Sequence, residues 1–467
     1  MMLFAVIIGT PVIFTLWLLI LFKWQRGFWM LLLYIPFAGL VTLALRPSPI
    51  GTLLKDLLFV LPVYAVFFLL HVRELQRVQV PKLLTLLFVL FTSLTMLQLF
   101  NPNIKNFAVG MVGVKVWVLY LPMLYISAAF FSSADVFLRV LRMSTVLAVV
   151  SCSLGLTQFV VGQIIGYEEV MTLMYGAAAA GATQDFASFN MGAEFFRIPS
   201  TFSFPAQYAG FCLVMMPVIY MLQTIETEPR WRTFAQISMI LVVAASMLSG
   251  SRGNWLFTPL LSLMILLIDA KLTRLAIGLI FGPVLMMATV YAAGIDIFLL
   301  FESTAGLTRE YGQDLVIPDL IRALTNSPLG SGTGINTGGA TNMMSEFERA
   351  TTVMTEGYYA KAIIELGIPG LILLIMIIAT LILFGLNLRH RLRDPKARSC
   401  AAAITAFLIV IGMHSFKGWL VDLDPINVWY WILAGILFAL PRIRLEDLGP
   451  PRQPKSARAR TQFYARR

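Results

Sequence analysis

The sequence predicts an all-α integral membrane protein of about 13 transmembrane helices, with one large loop on the outer face and one interfacial helix. Composition is the first ground: 58% of residues are hydrophobic and 13% charged, about half the charged share of a soluble domain. A mean hydropathy of +0.82 agrees. Second, apolar runs of near membrane-spanning length recur from residue 2 to residue 441, leaving no room for a separate soluble domain. Such runs read as helices because a segment in lipid must satisfy its own backbone hydrogen bonds. Third, the cations are one-sided. Placing the N-terminus outside leaves 24 of the 35 Lys and Arg residues on the cytoplasmic side, the bias expected of inner loops.

The expected spans are 2–22, 28–45, 57–72, 83–100, 114–131, 145–163, 206–223, 234–249, 255–270, 275–300, 368–388, 401–418 and 427–441. The first has no basic segment ahead of its apolar run, and Lys23 and Arg26 follow it, so a retained span is expected instead of a cleaved signal peptide. The inner loops carry Arg73, Arg77 and Lys82, Arg139 and Arg142, Arg230 and Arg232, Lys271 and Arg274, and a cluster from Arg389 to Arg398. Residues 1–440 form one polytopic domain, and 441–467 form a basic tail expected to be disordered and cytoplasmic. That tail supplies much of the net charge of +11, so anionic membrane lipids, and not nucleic acid, are the expected partners of its charge. Cys152, Cys212 and Cys400 lie in or beside apolar runs without CxxC spacing, which indicates neither a disulfide framework nor a zinc site.

This topology sends two long segments, about 164–205 and 301–356, to the outer face. Long loops carry function more often than short connectors do. The second contains NSPLGSGTGINTGGATN, whose glycines permit close backbone approach and no regular helix. It leads into MTEGYYAKAIIELGIPGLIL, Met354 to Leu373, which reads as an interfacial helix broken at Gly367 and Pro369-Gly370 before the next span. Glu356 heads that helix, where unpaired N–H groups favour negative charge and can seat a base.

Three charged residues share the outer face by topology: Arg197 before a span, Arg252 in the hairpin LSGSRGNWL, and Glu356. An arginine beside hydrocarbon calls for a partner, and Ser251, Gly250 and Gly253 add hydroxyl and backbone N–H, a set that suits a phosphate. Snorkelling to headgroups is the competing reading of Arg252, and plain anchoring that of Arg197. Two guanidiniums facing one cavity stabilise the charge on a departing diphosphate without a metal, and no His/Cys cluster nominates metal ligands. His414 is expected near the outer end of its span, one turn before Lys417 and close to Asp422 and Asp424. With Lys417, Tyr358 and Tyr359 it forms a candidate sugar or acceptor site, near Trp255 and Trp419, against the alternatives of a structural histidine and an interfacial aromatic belt.

The motifs RIPSTFSFP, LSGSRGNW, SPLGSGTGIN and EGYYAKAIIELGIPGL, in that order over residues 197–375, resemble the O-antigen ligase and O-antigen (exopolysaccharide) polymerase family of bacterial envelope glycosyltransferases. Elsewhere only the many-span architecture matches. The resemblance implies glycan transfer from an undecaprenyl diphosphate carrier at the periplasmic face of the inner membrane, with arginines holding the diphosphate and no cofactor. It places the N-terminus in the periplasm and the C-terminus in the cytoplasm, and it suggests flippase and chain-length regulator proteins as partners. Ligases of this family commonly carry histidine then asparagine where Glu356-Gly357 stand here. A glutamate keeps a proton acceptor at that place, while the case for lipid A ligation weakens. The expected function is polymerisation of lipid-linked repeat units by inverting transfer, with Glu356, Arg252 and Arg197 as catalytic residues and Arg252, Arg197 and Ser251 on the diphosphate. The alternatives are a ligase acting on another lipid or protein acceptor, and a transporter or flippase of lipid-linked sugars.

Overall fold

The computed structural model describes residues 2–45, 50–177, 188–190, 194–271, 316–344 and 354–448, with isolated helical residues between 273 and 291. In chain order the helices are α1 (Met2–Phe22), α2 (Trp24–Ala44), α3 (Ile50–Leu70), α4 (Lys82–Gln98), α5 (Phe107–Phe130), α6 (Ala134–Ile165) and α7 (Tyr167–Tyr175). They continue with α8 (Pro205–Ile225), α9 (Pro229–Leu248), α10 (Arg252–Ile268), α11 (Ile317–Asn326), α12 (Tyr358–Arg391), α13 (Pro395–His414) and α14 (Ile426–Ala439). Among the described residues, eight helices are long and apolar enough to cross a membrane: α2, α3, α5, α6, α8, α9, α12 and α13. The chain is thus an all-α membrane protein, apart from a short antiparallel pair, Ser188–Asn190 with Glu194–Phe196. The expected span 275–300, apart from isolated helical residues, the loop stretches 301–315 and 345–353, and the tail beyond 448 lie outside the described residues.

Caps set the helix starts. Ser133 accepts from the Val136 N–H and Asn106 from the Ala108 N–H, so α6 and α5 begin well ahead of their apolar runs. The centre of the bundle is α8, buried on almost every face, as an all-round apolar helix must be. It packs against α6, α9 and α13. In lipid, helices associate through close contact of small residues instead of water exclusion, and α13 offers Ala401, Ala402 and Ala403 for that purpose. Gly435 of α14 does the same against α5, where an added Cβ would lie 2.4 Å from the Leu124 carbonyl oxygen. Leu69, Leu97 and Ile164 are exposed, the apolar exterior expected of a bundle set in acyl chains.

The predicted break in the helix after Glu356 is present, since Gly367 adopts φ 78° and ψ 179° inside α12. The segment before the break is not the exposed interfacial helix that its composition suggests. Tyr358, Lys361, Glu365 and Leu366 are all buried, because the polar side chains turn inward to partners on other helices.

Candidate functional site

The hairpin between α9 and α10 reverses direction in three residues, and Gly250 (φ 75°) makes that turn possible. Asn254 fixes it from within, donating to the Ala209 carbonyl at 2.9 Å and to the Ser246 hydroxyl at 2.8 Å. The Ile198 N–H donates to the Ser249 carbonyl at 3.1 Å, which lays the segment carrying Arg197 alongside the hairpin. The Arg197 guanidinium carbon stands 6.0 Å from the centre of the Phe204 ring. Ser251 is the N-cap of α10, with no side-chain cap bond, and Arg252 is the first residue of that helix. The side chain of Arg252 lies outside the described residues.

The turn after α13 closes against the same point. A Cβ built on Gly253 lies 3.2 Å from Lys417 Nζ and 3.6 Å from His414 Nε2. His414 is buried with its ring 4.6 Å from that of Phe257. The N-terminus of α12 rests on this turn too: the Tyr358 and Tyr359 N–H groups donate to the Ser415 carbonyl at 2.9 and 3.4 Å. The segments bearing Arg197, Arg252, Lys417, His414 and Glu356 therefore meet at one end of the bundle.

Two expectations need correction here. Glu356 does not cap α12; the cap residue is Gly357, and the first helical N–H groups are met by Ser415, so Glu356 is left exposed. Tyr358 and Tyr359 are buried packing residues instead of open sugar platforms. Tyr358 stacks on Trp117 at 5.1 Å, and the Tyr359 hydroxyl donates to the Gly412 carbonyl at 2.7 Å.

Beneath these residues lies a charged layer that the sequence reading missed. Lys361, fully buried, pairs with Asp422 and sits under the rings of Trp117 and Trp419, 5.0 and 5.7 Å from their centres. Burial pushes the Asp422 carboxyl up to about 6, with Lys361 pulling the other way. Two residues on, Asp424 pairs with Lys55; burial pushes it upward, yet Lys55 and Lys115 outweigh that and hold it below the ordinary carboxylate range. Asp56 completes the set, paired with Lys115 at 2.7 Å and accepting from the Tyr120 hydroxyl at 2.7 Å. Buried charges in spans are rare and come paired, so Lys55-Asp56 and the i,i+4 pair Lys361/Glu365 were the available signals.

Glu365 organises the glycine-rich loop. Its Oε2 accepts from Trp117 Nε1 at 2.7 Å and the Gly334 N–H at 2.9 Å, and its Oε1 accepts from the Asn336 N–H and the Thr337 hydroxyl, each at 2.9 Å. Asn336 in turn accepts from the Thr355 N–H at 3.3 Å and hydroxyl at 3.1 Å, next to Glu356. Residues 328–337 thus form a wall held by hydrogen bonds, tied also to Gln98 and Asn101. Gly334 is the tightest point, at φ 87° with a built Cβ 2.0 Å from the Val109 carbonyl oxygen. Gly334→Ala is expected to cost at least about 1–3 kcal/mol from backbone strain alone, whereas Gly338→Ala, which meets nothing closer than 3.7 Å, is expected to be mild. Thermal unfolding of the two variants side by side checks this; equal midpoints contradict it.

No protein-family model matches the chain, and no curated protein matches it at a significant level.

Proposed function

We propose that the protein is a polymerase of lipid-linked oligosaccharide repeat units, acting at the outer, periplasmic face of a bacterial inner membrane. The observation that carries this reading is the meeting, at one end of the bundle, of the Arg197 segment, the Arg252 hairpin, Lys417 and the exposed Glu356. An acceptor sugar hydroxyl attacks the anomeric carbon of the donor glycan. The new bond is oxygen to carbon, the bond broken joins that carbon to the polyprenyl diphosphate, and the electron pair leaves on the diphosphate oxygen. Glu356 takes the hydroxyl proton. Arg252, Arg197 and the N-terminal amides of α10 hold the growing negative charge. The N-terminus is periplasmic and the C-terminus cytoplasmic in this reading, with 13 spans in all. A ligase shares the same chemistry and differs in acceptor.

In cells carrying Glu356→Gln, Arg252→Ala or Arg197→Ala, long polymer is expected to disappear. Loss of one charge-stabilising donor slows chemistry by on the order of 100-fold. Wild-type chain lengths in all three strains, at equal protein levels, contradict the proposal. A second reading, transport of lipid-linked sugars, draws on the buried Lys55, Asp56, Lys115 and Asp424 network, since ionisable groups inside spans often line a substrate path.

A further inference from the structure

A cavity of about 510 Å³ opens at the other end of the bundle, between the last turn of α8, the first two turns of α9, Lys271 after α10 and the first two turns of α13. Its lining is Gln223, Thr224, Arg232, Gln236, Lys271, Pro395, Lys396 and Ser399. Three of these are cations and none is a carboxylate. Helix α13 runs from this cavity to His414, so its 20 residues separate the two places by roughly 30 Å. The cavity has no part in the chemistry proposed above.

The nearby acids are engaged except for Asp394 Oδ2, which is buried without a hydrogen-bond partner. Asp269, beneath the floor, accepts from the Ser399 hydroxyl at 2.8 Å and the Tyr220 hydroxyl at 2.6 Å. Asp394 accepts from the Lys396 N–H at 3.0 Å as the cap of α13. Lys396 Nζ donates once, to the Ile225 carbonyl at 3.2 Å, which holds the ammonium at the rim with two further N–H donors. Arg232 and Lys271 are exposed at the mouth. Gln223 and Gln236 add amide groups, although Gln223 already donates to the Ala235 carbonyl at 3.0 Å.

We infer that this cavity binds the phosphate headgroup of an anionic phospholipid from the leaflet at that end. The volume falls in the range of ordinary small-ligand sites. The position, at the ends of the membrane helices α8, α9 and α13, fits headgroup depth. Basic pockets between transmembrane helices on the cytoplasmic side are where anionic headgroups settle, and this end carries the Lys/Arg excess of the chain. Free inorganic phosphate shares the chemistry but lacks acyl chains to lie against the exposed Ile237 and Ile240 of α9.

The test uses the purified full-length protein and three probes: phosphatidylglycerol, phosphatidylethanolamine and inorganic phosphate. By native mass spectrometry, wild-type protein is expected to retain phosphatidylglycerol in preference to phosphatidylethanolamine. The pair Arg232→Gln/Lys271→Gln, which leaves the Lys396 to Ile225 bond in place, is expected to lose that retention by on the order of tenfold. Equal retention by variant and wild type overturns the inference. A second measurement needs no variant: in lipid nanodiscs, phosphatidylglycerol is expected to slow acylation of the Lys271 and Lys396 amines several-fold relative to phosphatidylethanolamine. Equal rates overturn it, and so does equal slowing by millimolar phosphate in phosphatidylethanolamine discs, which makes the ligand a soluble anion.

Discussion

Glu365→Ala is expected to be the most damaging single substitution in the protein. It removes a fully buried carboxylate and strands four donors: Trp117 Nε1, the Gly334 and Asn336 N–H groups, and the Thr337 hydroxyl. A buried donor without a partner costs about 1–3 kcal/mol, and partial rehydration leaves a net loss of about 3–5 kcal/mol. The damage reaches the proposed site, because Asn336 holds Thr355 beside Glu356. Melting in detergent is expected to fall sharply, with proteolytic cleavage appearing within 328–337 and polymer formation lost. Glu365→Gln keeps the shape but turns an NH₂ towards donors, so it is expected to fall between wild type and alanine. A Glu365→Ala protein that melts like wild type and resists protease contradicts this account of the loop.

The Lys361–Asp422 pair comes next. Breaking one side of a buried ion pair leaves a charge that neither water nor protein compensates, a cost of about 3–5 kcal/mol. Lys361→Met alone is therefore expected to destabilise strongly, while Lys361→Met/Asp422→Asn recovers most of the loss. An unrescued double variant argues against the pairing. The pH dependence follows from the sign of the shift. Asp422 is raised from an ordinary 3.8 to about 6, so between those values the native state binds the proton that the unfolded chain has released. Its contribution to stability is present below pH about 4 and is lost as pH rises through about 6. The melting temperature of wild type relative to Asp422→Asn is expected to rise as pH falls from 7 to 4. A flat difference contradicts the shift.

Much of the fold was legible because it depends on length and apolar content alone. Each expected span within the described residues falls on an observed helix, and the break at Gly367 was visible in its Gly and Pro context. The hairpin around Arg252 was legible for a similar local reason, Gly250 between two spans. The charged layer was not. Lys361 and Glu365 recur at a helical spacing that fits water contact as well as it fits a buried partner, and the partners are distant: Trp117 is 248 residues from Glu365, and Asp424 is 369 from Lys55. Glu356 was misjudged more subtly, because the acceptor that satisfies the α12 terminus is the Ser415 carbonyl, a backbone atom with no side-chain signature.

Elongation by the purified protein is the most direct measurement. Reconstituted into vesicles with a synthetic polyprenyl diphosphate-linked repeat unit and no ion gradient, the wild type is expected to build a ladder of longer carrier-linked chains, and Glu356→Gln to build none. Substrate that stays one unit long, or merely crosses the bilayer intact, contradicts the polymerase reading.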